Sequence, residues 1–215
     1  MSLTVQGDLT RALARRRGAC ALIAIKARSR CKTRLAGALD DRARVELVRS
    51  MLAAVVAAVG NAQAVHQTII VSPERDQVPA EIPVLADTGE SLNVALAQAH
   101  GMLRELGCGE IVVLPADLPG ITAAEIDTLV SAARTGGFSI APDAGGTGTN
   151  ALCIVSIQPF EFQFGPDSQH LHLQEARRLG LTPQIVRLPG LELDIDSPSD
   201  LDLLGEQPWR ILRRA

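Results

Sequence analysis

Short, almost wholly apolar runs recur along this chain and alternate with longer segments of helical period. That alternation restricts the fold more than any other feature. The runs are Ala19 to Lys26 (ACALIAIK), Gln67 to Ser72 (QTIIVS), Ile82 to Ala86, Glu110 to Leu114 (EIVVL), Phe138 to Pro142, Asn150 to Ser156 and Ile185 to Leu188. Between them, Asp41 to Val59 carries Val45, Val48, Leu52, Val55 and Val59 on one helical face, with Gly60 as its expected stop. Ser91 to Leu106, stopped by Gly107, and Asp167 to Leu179 also read as helices. Thr122 and Glu125 have capping-box spacing at the start of another, and Pro198 opens a last short one. Strands apolar on both faces and separated by helices predict an α/β fold. The expected form is a single-domain three-layer sandwich with a mostly parallel sheet. A length of 215 residues suits one such domain, expected over residues 19 to 215 behind a flexible leader at residues 1 to 18.

Composition narrows the function. Hydrophobic residues make up 47% of the chain and aromatics only 2%, so Ala, Val, Leu and Ile must build the core. Few aromatics and a formal net charge of −3 argue against nucleic acid as a partner. The four cysteines, Cys20, Cys31, Cys108 and Cys153, form no Cys-x-x-Cys pair and read as buried thiols of a reducing cytoplasm. Arg15 to Arg17 precede an apolar run, but Lys26 ends it too early for a signal peptide. No apolar stretch approaches the ~20 residues needed to span a bilayer, so no membrane partner is expected. The sequence leaves a homodimer open.

In open parallel sheets, ligands bind beyond the carboxyl ends of the strands. Three acids lie where that rule points. Asp117, in PADLP, follows the run Ile111 to Leu114, and Asp194 and Asp196, in LDIDSP, lie in an extended segment before a helix. Residues two apart on a strand share a face, so Asp194 and Asp196 should point together, with Ile195 opposite. Parallel carboxylates repel unless a cation lies between them, and three oxygen donors suit Mg²⁺. A basic segment, Lys26, Arg28, Arg30, Lys32 and Arg34, follows the first strand and can wrap a triphosphate. Two further segments read as anion cradles. They are Gly145 to Asn150 (GGTGTN), and Phe164 to Ser168 (FGPDS), which leads into a helix N-terminus. His172 is read as lying near a phosphate and the other histidines as incidental. No nucleophile triad and no P-loop sequence is present.

Together these pieces resemble the phospholactate and phosphoenolpyruvate guanylyltransferases of deazaflavin coenzyme F(420) biosynthesis. The matching segments are AIKARSRCKTRLA, SLNVAL, VVLPADLP, GGTGTNAL, FGPDS with a following His172, and DIDSPSDL, spread over residues 20 to 203. The resemblance implies a fold like the nucleotide-diphospho-sugar transferases. It also implies transfer of GMP from GTP to the phosphate of phosphoenolpyruvate, 2-phospho-L-lactate or 3-phospho-D-glycerate, with pyrophosphate released. Carried over by position, it implies Asp117, Asp194 and Asp196 on Mg²⁺, and Lys26, Lys32, Arg34 and Asn93 along the nucleotide. Thr149, Gly165 and Ser168 would hold the phospho-acid, and Asp117, Lys32 and Arg34 would be the catalytic groups. Leu171 stands where the family often has Arg before the histidine.

The chemistry agrees with the residues. A phosphate monoester is largely ionised at neutral pH, its second pKa being about 6, so its attack on a phosphorus needs no general base. Two other enzymes are weighed against this one. A molybdopterin-type nucleotidyltransferase would carry adjacent glycines after the first strand, and this chain does not. A nucleotide-sugar glycosyltransferase could also use an Asp pair for its metal. A non-catalytic nucleotide-binding domain would be expected to have lost part of its acid set, which is complete here.

Overall fold

The computed structural model describes residues 18–25, 32–87 and 91–203. Strand β1 (Ala19–Ala24) shows how the layers arise, because its side chains go alternately to two separate cores. Ala19, Ala21 and Ile23 enter one, and Cys20 and Leu22 enter the other. A strand buried on both faces cannot carry the polar alternation of a solvated sheet, hence its unbroken apolar run.

The remaining elements are α1 (Asp41–Asn61), β2 (Val65–Ser72), β3 (Val84–Ala86), α2 (Leu92–Glu105), β4 (Glu110–Pro115), α3 (Ala123–Gly136), β5 (Gly137–Pro142), β6 (Thr149–Val155), α4 (Ser168–Arg178), β7 (Thr182–Ile185), α5 (Pro189–Glu192) and α6 (Pro198–Leu203). The seven strands lie in the order β3-β2-β1-β4-β6-β5-β7. Only β6 runs against its neighbours, pairing antiparallel with β4 and with β5. Helices α1 and α3 cover one face, through Leu52, Val55, Ile126 and Leu129. Helices α2 and α4 cover the other, through Leu96, Leu103 and Ala176. The result is the three-layer, mostly parallel sandwich that the apolar runs predict.

Helix starts follow local chemistry. The Asp40 carboxylate accepts from Ala43 N at 2.7 Å at the head of α1, and Ser91 caps α2 through Val94 N. The capping box of α3 forms as its spacing predicts, with Thr122 and Glu125 bonded reciprocally. Glu125 does a second job, accepting from Gly190 N at 2.8 Å and so tying α5 to the start of α3.

Several local readings are corrected. The expected strand at Ile185 to Leu188 forms three residues earlier, as β7, because Gly137 to Ile140 pair with Thr182 to Ile185. Val186 and Leu188 are apolar for another reason: they pack irregularly against the α1/α3 core. Helix α1 runs through Gly60 to Asn61. Val45, placed on its buried face by periodicity, is 43% exposed. There the helix presents Leu47 and Met51 to a small separate cluster with Leu35 and Ile195. Scarce aromatics do not mean scattered ones. All four phenylalanines lie in a ladder on the α2/α4 side, Phe138–Phe160–Phe162–Phe164, with ring centroids 5.4, 5.3 and 6.4 Å apart. Of the expected leader, residues 1 to 17 lie outside the described residues. Among the described residues, no helix is long and apolar enough to cross a membrane.

The Glu125–Gly190 tie requires a glycine. A Cβ at position 190 would run into the Glu125 carboxylate and the backbone carbonyl of Gly120. Gly190→Ala is therefore expected to cost about 1–3 kcal/mol through overpacking and loss of the tie. A lowered thermal midpoint checks this, and a midpoint equal to wild type would show that α5 is not held there.

Candidate active site

A cavity of about 370 Å³ opens beyond the carboxyl ends of β1 and β4, where the strand order reverses. Its wall includes Lys32, Arg34, Asp117, Asn150, Asp194 and Asp196. Hydrophobic burial puts them there. Leu35 and Ile195, each wholly buried, pack with Leu47 and Met51 of α1. Leu35 anchors the short 3-10 turn Thr33–Leu35 that carries Arg34 and follows Lys32. Ile195 turns inward, and its neighbours Asp194 and Asp196 face the cavity. Asp117 comes from the turn after β4.

Two of the three acids meet on a cation, and that cation is a lysine. Lys32 Nζ lies 2.5 Å from Asp117 Oδ2 and 2.8 Å from Asp196 Oδ1. Burial disfavours its ammonium, but the two carboxylates outweigh that effect and hold its pKa above the ordinary lysine value. Asp194 is not bonded to Lys32. Its pKa is raised, first by burial and then by the charges of Asp117 and Asp196, while the Asn150 amide, 3.4 Å away, opposes the rise. The set thus has the charge and oxygen donors that a hard divalent ion takes. Among the described residues, however, no group of three or more acidic, His or Cys side chains stands ready-made around a metal position. The ammonium occupies the space between Asp117 and Asp196. Sequence reasoning set Lys32 along the nucleotide; the structure pairs it with the acids. Lys26, Arg28 and Arg30 lie outside the described residues.

The second half of the site is a neutral cradle. Residues Gly145 to Gly148 fold back on Asp143, whose carboxylate accepts from Thr147 N at 2.9 Å. A Cβ on Gly148 would lie 2.7 Å from Asp143 Oδ2, so the turn needs a glycine. Thr147 O accepts from Gln169 N at 3.1 Å, docking this loop on the first turn of α4. Ser168 opens α4 with its N–H on Gly165 O at 3.3 Å and is 2% exposed. Thr149, at the head of β6, bonds His172 at 3.0 Å. Of the three residues expected on the phospho-acid, Gly165 lines the cavity; Thr149 and Ser168 are not among its lining residues, though Thr149 precedes Asn150, which is, and Ser168 N donates to Gly165 O. Lys32 and Asp167, with φ of 51° and 56°, are the two described non-glycine residues in the left-handed region, one beside each half of the site. Such strain costs about 1–3 kcal/mol and clusters where function demands it.

Two residues depart from the expected roles. The Asn93 amide donates to Phe164 O at 3.1 Å and accepts from Phe164 N at 2.8 Å. It clamps the segment ahead of Gly165 and is not among the residues lining the cavity. His172, expected near a phosphate, is wholly buried, so any part it plays there is through a neighbour. Its Nε2 accepts from Gln163 N at 2.9 Å, and burial, partly opposed by Glu175, pushes its pKa down to about 4. Asn150 was missed as a site residue, although it ends the GGTGTN segment. A buried Asn 44 residues from an acid carries no sequence signal of the pair it will make.

A crevice of this kind at the switch point of a mostly parallel sheet, with clustered acids on one side and a glycine-rich cradle on the other, defines a nucleotidyltransferase-like protein. Solved structures agree on the fold. The chain superposes with a TM-score of 0.72 on a structure described as a nucleotide-diphospho-sugar transferase from Desulfovibrio desulfuricans G20, at 15% identity over 89% of this chain and 90% of that one. It superposes with a TM-score of 0.59 on 4-diphosphocytidyl-2C-methyl-D-erythritol synthase from Anaerococcus prevotii, at 10% identity over 92% and 97%. The family described as "Guanylyl transferase CofC like" matches residues 19–206, and the chain belongs to it. Relatives named phosphoenolpyruvate guanylyltransferase include one from Roseiflexus castenholzii, 38% identical over 87% of this chain and 88% of its own. Another, from Rhodococcus erythropolis, is 34% identical over 85% and 88%.

The buried histidines make stability depend on pH. His100, 2% exposed with Nε2 unpaired among the described residues, is also pushed down to about 4, by burial and then by Arg104. Both rings bind a proton in the unfolded chain near pH 6.5 but resist it when folded. Their contribution is complete above pH 6.5 and is lost as pH falls toward 4. Urea midpoints should therefore decline across that window, and His100→Leu should flatten part of the decline. An unchanged slope in the variant would mean that His100 protonates freely in the folded protein.

Proposed function

We propose that this protein transfers GMP from GTP to the phosphate of a small phospho-acid, with phosphoenolpyruvate first among the candidates, and releases pyrophosphate. The observation that carries the reading is the gathering of Asp117, Asp194 and Asp196 on one cavity wall, with Lys32 between the first and the last. Near that wall stand the glycine-rich turn and the first turn of α4, with Thr149, Gly165 and Ser168. Family membership and the names of the relatives support guanine and phosphoenolpyruvate. On this reading the product belongs to deazaflavin coenzyme biosynthesis, as the sequence motifs imply by resemblance. Buried, unpaired Cys20, Cys108 and Cys153 support a cytoplasmic setting.

A phosphate oxygen of the acid attacks the α-phosphorus of GTP. The new P–O bond forms as the α–β anhydride bond breaks, and pyrophosphate leaves with the electron pair. No proton need be removed, since the attacking group is already ionised. The protein's work is to align two anions and neutralise their charge. Arg34 brings a cation to the triphosphate side, and Lys32 answers the charges of Asp117 and Asp196. Thr149, Gly165 and Ser168 hold the acid's phosphate, and Asn93 fixes the Phe164–Gly165 backbone from behind. Asp117, Asp194 and Asp196 would hold Mg²⁺, which when bound supplies charge neutralisation on the phosphates. Asn150 keeps Asp194 turned toward that position.

Pyrophosphate release and product mass, with four nucleotides against phosphoenolpyruvate, 2-phospho-L-lactate and 3-phospho-D-glycerate, test the reading. GTP with phosphoenolpyruvate is expected to give the product. Asp117→Asn and Asp194→Asn should each cut turnover by roughly a hundredfold or more with the fold kept. Ser168→Ala should raise KM for the acid more than for GTP. No pyrophosphate from any pair would end the reading, and full turnover in Asp117→Asn would take that acid out of the site.

A further inference from the structure

The hydrogen-bond chain Gln163–His172–Thr149 has a direction. A backbone N–H can only donate, so Gln163 N, at 2.9 Å, fixes Nε2 of His172 as an acceptor. A neutral imidazole then carries its proton on Nδ1, which lies 3.0 Å from Thr149 Oγ1 and donates to it. An imidazolium would set a second ring N–H against that of Gln163, and burial opposes it as well. The ring has little freedom to flip, since Phe160 and Phe164 pack on it with centroids 6.0 and 4.8 Å away. Thr149 therefore spends a lone pair on His172, and its own proton turns away from the ring.

We propose that His172 is a positioning residue that makes the Thr149 hydroxyl a donor toward the phosphate of the bound phospho-acid. The inference rests on the guanylyltransferase reading and deepens its acid-binding half. A phosphate dianion only accepts hydrogen bonds. The opposite tautomer would take the Thr149 proton and leave oxygen lone pairs facing the anion. Acceptance from Nδ1–H also polarises the hydroxyl, strengthening its donation. The aromatic ladder and Gln163 backbone thus set a tautomer, the tautomer sets a hydroxyl, and the hydroxyl selects an anion.

Two near-isosteres separate positioning from plain structural support. His172→Asn puts an amide where Nδ1 stands and can still donate to Thr149. His172→Gln reaches where Nε2 stands and can accept from Gln163 but not serve Thr149. With saturating GTP, His172→Gln is expected to raise KM for phosphoenolpyruvate about tenfold or more, the worth of a hydrogen bond to a charged group, with KM for GTP unchanged. His172→Asn should raise it about threefold at most. Thr149→Val should match His172→Gln, and the double variant should be no worse than Thr149→Val alone. Nitrogen-15 NMR of the wild type should show His172 protonated at Nδ1. A proton on Nε2 would overturn the proposal. So would equal KM changes in both His172 variants that track their melting temperatures, or additive effects in the double variant. If the wild type turns over no phospho-acid, the guanylyltransferase reading itself fails and takes this inference with it, whereas failure of the variants alone leaves that reading standing.

Discussion

Three carboxylates brought to one point repel each other, and much of this structure is arranged to make that point tolerable. Two like charges about 4 Å apart interact by roughly 4 kcal/mol at the effective dielectric of a protein surface. Something must hold them against that. Ile195, wholly buried between Asp194 and Asp196, and Leu35, wholly buried after Lys32 and Arg34, supply it by packing on Leu47 and Met51. Each such burial contributes about 1.5–3 kcal/mol. Acids and base thus arrive at the cavity because the apolar residues between them are pulled the other way.

The two halves of the site are built on opposite electrostatic terms. On one side, charge is concentrated and answered by charge. On the other, Gly148, Thr149, Gly165 and Ser168 offer backbone groups and hydroxyls, and the nearby histidine is kept neutral by burial. A cation in the cradle would tighten any anion alike. Neutral donors of fixed direction reward one that fits them. The strained backbones of Lys32 and Asp167 mark the points where each half is forced into position.

The layered fold was legible because burial on both faces leaves its mark in every strand, as in ACALIAIK and EIVVL. The acid trio was legible because i and i+2 share a strand face and because ligands gather at strand ends. Other features were hidden for physical reasons. Val186 and Leu188 are apolar whether they lie in a strand or pack irregularly, so periodicity could not place β7. Val45 obeys helical spacing, yet the first turns of α1 bury a different face, against Leu35 close by and Ile195 far along the chain. Asn93 and His172 carry side chains that suit a ligand, and the fold spends them on backbone atoms of Phe164 and Gln163. Sequence gives the chemistry of a polar group but not the partner that tertiary structure will bring to it.

Lys32 is the sharpest case of that rule. Read along the chain, it belongs to a basic stretch suited to a triphosphate. Read in space, it bridges Asp117 and Asp196. Lys32 answers Asp117 and Asp196, while Asp194 stays apart, its pKa raised first by burial and then by the charges of those two acids. Asp194 has the Asn150 amide beside it and no cation bonded to it among the described residues. A buried acid left in that state favours any process that brings positive charge closer to it. A lysine already bonded to the other two acids cannot serve Asp194 equally well without loosening its hold on them. The lysine therefore holds two of the acids and leaves the third to burial and its amide neighbour, while the apolar clasp beneath keeps the three from spreading apart.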